Sequence, residues 1–397
     1  LSGGYLRAQG HSNTLGRSMA TNAVALAAGT FLELAGDTNL IFGRNTAVGG
    51  AAQITIDRET AGAGPTHSLG SLNLGAFTLT VTGGLNVTSG DIGLVFTGGV
   101  QTGNAGFSVN PAAAGGDALL TIEGPFTRSG VVTLGKTGSG GLKFSGSEGN
   151  TGGGLLTMTT GPLWLDKSGT AQAIADGGVT LGTLSTNAIL AKYTGTSTDM
   201  MGTGTVTING MSLLDFNGQT DTIGPVTIAS SGAGGDTVPI TNTAGGGNLT
   251  IGALTITPLT GYRTTIESGS GTLTLSSNVT FTAAGSGRAI VNGALDLGTA
   301  TRTFTIGAGV AVEGGIEFDV PAVVTGVAGS GLTKAGTGVM RLTRANTLDG
   351  PVSITGVLRM NNAQALGVPS VARTVSVAAS SSLVLDGVGI SDPDGQF

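Results

Sequence analysis

Short segments that alternate apolar and hydroxyl or amide residues, each closed by glycine, recur along the whole chain, and few folds accept such a pattern. Examples are Ser71-Leu72-Asn73-Leu74, Phe77-Thr78-Leu79-Thr80-Val81-Thr82, Leu85-Asn86-Val87-Thr88 and Thr205-Val206-Thr207-Ile208. The same pattern continues in Leu254-Thr255-Ile256, Thr272-Leu273-Thr274-Leu275 and Thr303-Phe304-Thr305-Ile306. A period of two puts successive side chains on opposite faces, so each segment reads as a short strand buried on one side. A β-sandwich uses roughly seven to nine strands, far fewer than this chain supplies. Asn-Gly turn pairs are sparse (Asn209-Gly210, Asn217-Gly218, Asn292-Gly293), and no linker breaks the composition into several sandwiches.

A solenoid accommodates the pattern, because coils of about 20–25 residues stack and bury one another's apolar sides. Parallel crossovers strongly favour one hand. The sequence therefore predicts an all-β fold, a right-handed parallel β-helix of roughly 16–19 coils at the ordinary strand spacing. Residues 23–397 are expected to form a single continuous solenoid. Residues 1–22, the least strand-like part, are expected to cap the first coil or to serve as an assembly segment.

Composition explains how such a surface stays in water. Of 397 residues 74 are Gly and none is Cys, while only 10% are charged. Glycine without a three-residue period and with 11 Pro excludes collagen, and 39% apolar residues exclude ordinary disorder. Glycine inside a strand is destabilising, so most of these residues are expected at strand ends and bends. Ladders of Thr, Ser and Asn would then replace charges on the outside. A net charge of −6, with no Lys/Arg cluster, gives phosphates no footprint, so no nucleic-acid partner is expected. No apolar run is long enough for a membrane-spanning helix. The chain opens with Leu1 rather than Met and is read as a mature or trimmed piece.

One stretch runs Gly331-Leu332-Thr333-Lys334-Ala335-Gly336-Thr337-Gly338-Val339-Met340-Arg341-Leu342, then Asn346-Thr347, then Gly350, Val352, Ile354, Gly356, Leu358 and Met360. A second, looser copy has Leu134, Lys136, Gly138, Gly140, Leu142, Phe144, Asn150, Thr151, Met158, Gly161, Leu163 and Leu165. The two resemble the autotransporter-associated β-strand repeat of bacterial surface proteins, with fainter echoes around Leu213–Thr220 and Leu295–Gly298. The resemblance implies export, a β-helical passenger and a place at the bacterial cell surface. On the residues alone, Lys136 and Lys334 are expected to point outward and cover turn carbonyls. Asn150 and Asn346 are expected to bond their own turn backbone, beside Thr151 and Thr347.

Candidates for chemistry are few. His11 and His67 are the only histidines and are read as solvated or turn residues; without Cys, neither a thiol nucleophile nor a His/Cys metal cluster can be built. A polysaccharide lyase or hydrolase would need acids gathered from neighbouring coils. Its candidates are Asp215, Asp221, Asp296, Glu313, Glu317 and Asp319, with Arg263, Arg288 and Arg302 near them in sequence. Asp386, Asp392 and Asp394 lack calcium-loop spacing and read as a solvated turn. Trp164, the single tryptophan, alternates against Leu163 and Leu165 and should face outward, where a ring could stack on a sugar.

No catalytic residue, cofactor or metal is therefore assigned. The expected function is an extracellular structural protein, with the polysaccharide-degrading enzyme as the alternative. It would be either a β-helical passenger or stalk, or the subunit of a fibre in which an open terminal coil accepts the next copy. Expected partners are further copies of the chain end to end, and cell-surface or glycan ligands.

Overall fold

In a computed structural model, nearly every strand predicted above is present. The structure describes residues 3–16, 23–184, 187–231, 236–310, 312–368 and 372–386. Each strand pairing found is parallel, and the coils number about 15, a β-solenoid. The chain divides into two compact units, one of Leu1–Gly182 with Asn187–Thr205 and one of Thr183–Thr186 with Val206–Phe397.

In the first unit, one face stacks strands that begin at Gly4, Thr30, Ala52, Thr78, Ala105, Leu134, Leu156 and Val179. A second face stacks Thr66–Leu69, Ile92–Phe96, Ala118–Ile122, Gly141–Gly146, Leu163–Lys167 and Leu190–Tyr193. A third carries the short strands Val24–Leu26, Thr46–Val48, Leu72–Leu74, Gly99–Gln101 and Phe126–Arg128. Coil length varies, from 29 residues between Ala105 and Leu134 (134 − 105) to 22 between Leu134 and Leu156 (156 − 134). The coil from Leu134 to Leu156 carries the looser repeat copy, and the coil from Thr30 to Ala52 is equally short.

Strict register turns the period-two pattern into ladders. On the second face, Leu69, Phe96, Ile122, Phe144, Leu165 and Tyr193 stand one above another, all fully buried. Each such side chain contributes about 1.5–3 kcal/mol by leaving water, and a one-residue slip would turn the whole set outward. The second unit repeats the scheme. Ile208, Ile228, Ile256, Phe281 and Ile306 form an inner ladder, and Thr207, Thr227, Thr255, Thr280 and Thr305 form the matching outer one.

Two expectations change. Residues Gly4–Gln9, expected to be the least strand-like, form a strand in register with Thr30–Ala35, with Tyr5 exposed on its outside. His67 is fully buried in the ladder with Leu94 and Leu120, not solvated. Its Nδ1 accepts the Leu40 amide at 3.2 Å and its Nε2–H faces the Asp57 carbonyl at 3.3 Å. Phe42 meets the ring edge-on. Burial holds this imidazole below its ordinary pKa, so it is neutral. Among the described residues no helix is long and apolar enough to cross a membrane.

Candidate functional site

The repeat is built around a buried cation. Leu134 points in, Gly135 out and Lys136 in again, which seats Lys136 in the core ladder between Phe107 and Met158. Lys334 takes the same place between Phe304 and Ile354. Both are fully buried, contrary to the outward orientation expected. Burial alone would make such a charge costly, but backbone oxygen surrounds each ammonium. Lys136 Nζ donates to the carbonyls of Gly138 at 2.9 Å, Gly140 at 2.6 Å and Thr160 at 3.1 Å. Lys334 Nζ donates to Ala335 at 3.0 Å, Gly336 at 2.8 Å and Thr355 at 3.2 Å. Three donors meet three acceptors from two successive coils. Desolvation still pulls both lysines down to a pKa of about 8.

The two glycines after each lysine have different jobs. Gly138 and Gly336 turn the chain in the left-handed region, with φ of 79° and 81°. Gly140 and Gly338 have ordinary φ but no room, since a Cβ would lie 2.7 Å from the Ala118 carbonyl oxygen in one case and 2.4 Å from that of Gly307 in the other. A further glycine was not foreseen as part of the turn. Gly161 and Gly356, on the following coil, lie against the ammonium, where a Cβ would come within 2.9 Å and 3.1 Å of Nζ.

The asparagines bind neighbouring coils rather than their own turn, as had been expected. Asn150 Oδ1 accepts the Phe126 amide at 2.9 Å, and its Nδ2 donates to the Ala173 carbonyl at 2.7 Å. Asn346 does the same, with Val324 at 2.8 Å and Ala365 at 2.6 Å. Each side chain therefore links the coil before it to the coil after it. Thr151 and Thr347 continue the link, their backbone amides donating to the carbonyls of Phe126 and Val324. The receiving segments are Ala171-Gln172-Ala173 and Ala363-Gln364-Ala365, and the glutamine carbonyl takes the asparagine amide in both copies. The recurring Ala-Gln-Ala is the sequence signal of this receiving segment.

The acids proposed for catalysis are scattered and engaged in structure. Asp319 pairs with Arg341, Nε to Oδ1 at 2.9 Å and Nη2 to Oδ2 at 2.5 Å. Glu317 accepts the amides of Gly309 at 3.1 Å and Val339 at 2.7 Å. Asp215 accepts from the Asn217 and Thr243 amides, Asp296 from the Gly298 amide, and Asp221 from the Thr222 amide. Arg263 pairs with Asp236, Arg302 donates to the Leu297 carbonyl, and Arg288 opens the strand Arg288–Asp296. Glu313 opens a short 3-10 turn, and its side chain, like Asp392 and Asp394, lies outside the described residues. Asp386 is held through its amide by the Met360 carbonyl. His11 sits in an exposed turn, its Nδ1 accepting the Asn13 amide. Among the described residues no three His, Asp or Glu side chains are grouped to hold a metal.

Lys167, not singled out from the sequence, is a third fully buried lysine, with Nζ on the Gly124 carbonyl at 2.9 Å and a pKa near 8 from burial. The alternation Leu163, Leu165, Lys167 was the signal that pointed it inward. Trp164, between them, faces outward as expected, in an outer ladder between Lys143 and Lys192.

Over 117 residues, 28% of the chain, the sequence is 37% identical to the adhesin BmaC autotransporter of Brucella suis biovar 1 (strain 1330). The chain fits the autotransporter passenger type. The matched stretch spans about 3% of that adhesin's length. No family profile matches the chain, and no solved structure matches it. The passenger-type likeness therefore joins two independent findings, a partial sequence match and a stack of parallel coils.

Proposed function

We propose that this chain is a length of stalk from an adhesin-type passenger, exported and displayed at the bacterial surface or released from it. One observation carries the reading. The chain shares 37% identity with an autotransporter adhesin over part of its length and folds as the β-solenoid which that resemblance implied. Its working parts serve rigidity. Buried ammonium clasps and asparagine links join coil to coil, and Asp215, Asp221, Asp296, Glu317 and Asp319, which could have served hydrolysis, are tied into turns and an ion pair. A stalk of this kind holds contact surfaces away from the cell. Display is tested by fusing the chain to an outer-membrane barrel and probing intact cells with antibody and external protease. Labelling on intact cells, removed by protease, is the expected result; signal only after lysis overturns the reading.

The fibre version of the same proposal draws on the coil formed by Val375–Val377 and Ser382–Leu385, where Val375, Val377, Val384 and Leu385 are exposed. A coil of a second copy stacked there would cover them. Light scattering across a wide concentration range separates the two versions. Growth into long particles supports the fibre, and a constant monomer mass leaves the stalk. Depolymerisation of an acidic polysaccharide by the purified chain would overturn both.

A further inference from the structure

On the second face of the first unit, an open groove of about 430 Å³ runs along the stacking direction beside Trp164. It crosses five consecutive strands, from Thr66–Leu69 to Leu163–Lys167, a span of about 19 Å at the strand spacing. Gly141, buried and without a side chain, lets Leu119, Pro162 and the Trp164 indole close over it. A Cβ there would lie 3.2 Å from the Trp164 indole Nε1 and 3.4 Å from the Pro162 ring. The half-exposed indole and Pro162 thus form an apolar wall at one end. At the rim stand Asp91 and Asp117, on adjacent coils and both exposed. Asp91 Oδ1 accepts the Asp117 amide at 2.7 Å, which fixes that carboxylate in place. Ser139 adds a hydroxyl on the next coil. Beyond the indole, Lys143 and Asp166 neutralise each other in an ion pair.

The chemistry narrows the occupant. Strands on this face are paired on both sides, so no backbone edge is open to an added peptide strand. What the groove presents is a partly exposed indole, two carboxylate acceptors and the hydroxyls of Thr66, Thr121 and Ser139. A polyanion would meet Asp91 and Asp117 with like charge. We infer that this groove binds a neutral oligosaccharide, with one sugar ring stacked on Trp164 and hydroxyls of its neighbours donating to Asp91 and Asp117. The inference gives the adhesin-type reading a ligand class, yet it rests on the groove itself.

Because Trp164 is the single tryptophan, its emission reports on the groove directly. The full chain is titrated with cellohexaose, chitohexaose, maltohexaose and hexagalacturonate. The expected result is a saturable emission change with at least one neutral hexasaccharide and none with hexagalacturonate. Asp91→Asn and Asp117→Asn, both at exposed positions, should each weaken that binding about tenfold by removing a charged acceptor, with the far-ultraviolet circular dichroism unchanged. The inference is overturned if no neutral hexasaccharide alters the emission at millimolar concentration. It is equally overturned if hexagalacturonate binds as well as the neutral sugars, or if the folded double variant binds like the parent. Failure here leaves surface display standing, and failure of surface display leaves the titration unaffected.

Discussion

A lysine among leucines is usually a misfit, yet Lys136 and Lys334 sit in the core because each of their protons meets a carbonyl. Their titration should be visible in stability. With a folded-state pKa lowered from 10.5 to about 8, each releases its proton in the folded chain while the unfolded chain still holds it. Between pH 8 and 10.5 the unfolded state therefore binds more protons, and unfolding free energy rises with pH. The gain approaches roughly 3 kcal/mol for each lysine by the upper end of that window. Urea unfolding at stepped pH checks this, and Lys136→Met combined with Lys334→Met should reduce the rise to the share that Lys167, also held near 8, contributes. His67 acts on the acid side. Its depressed pKa means that stability is full above about 6.5, the ordinary histidine value, and falls as pH drops and the unfolded chain takes up the proton. The asparagines offer a simpler test. Asn346→Ala leaves the Val324 amide and the Ala365 carbonyl buried without partners, and a loss of about 2–4 kcal/mol is expected in the same assay.

At the scale of the turn and strand, glycine positions separate by cause. Gly336→Ala meets both a left-handed φ of 81° and an Ile306 carbonyl oxygen 2.4 Å from the new methyl. It should cost at least about 2 kcal/mol. Gly153→Ala, with nothing within 4 Å and an ordinary φ, should stay within about 0.5 kcal/mol of the parent. The strands themselves were legible from the sequence, since alternation such as Thr205-Val206-Thr207-Ile208 carries both element and inward face. The Lys-x-Gly-x-Gly turn and its Asn-Thr partner were legible as a unit. What escaped was the destination of each polar side chain. The alternation that put Leu134 inside also put Lys136 inside, but a charge on an apolar face is read as an exception until the carbonyls that receive it are known, and those come from Gly140 and from Thr160 on the next coil. Asn150 escaped likewise, because its partners Phe126 and Ala173 lie a coil away on either side. The groove beside Trp164 was legible only as one outward ring. Asp91 and Asp117 join it through stacking, which sequence distance conceals.

For the molecule as a whole, nearest-neighbour stacking makes the coil the unit of stability. Removing residues 134–155, one full coil, joins Thr133 to Leu156 and keeps inward positions in register along the first face, where Leu134 and Leu156 already pair. The shortened chain should fold with the same circular dichroism per residue and a smaller denaturant slope. Removing half that stretch should break the ladders and give insoluble protein. The same logic suits a stalk whose length can change by whole coils without redesign.

The clasped lysines also make the fold readable by simple chemistry. Five lysines are present, at 136, 143, 167, 192 and 334, and the first, third and last of these have their amines enclosed. An amine-acylating reagent added to the native chain should mark the side chains of Lys143 and Lys192 and leave the other three untouched. Unfolded chain should take all five. A mass spectrum then counts which coils are closed, one adduct at a time, without any label having been engineered in.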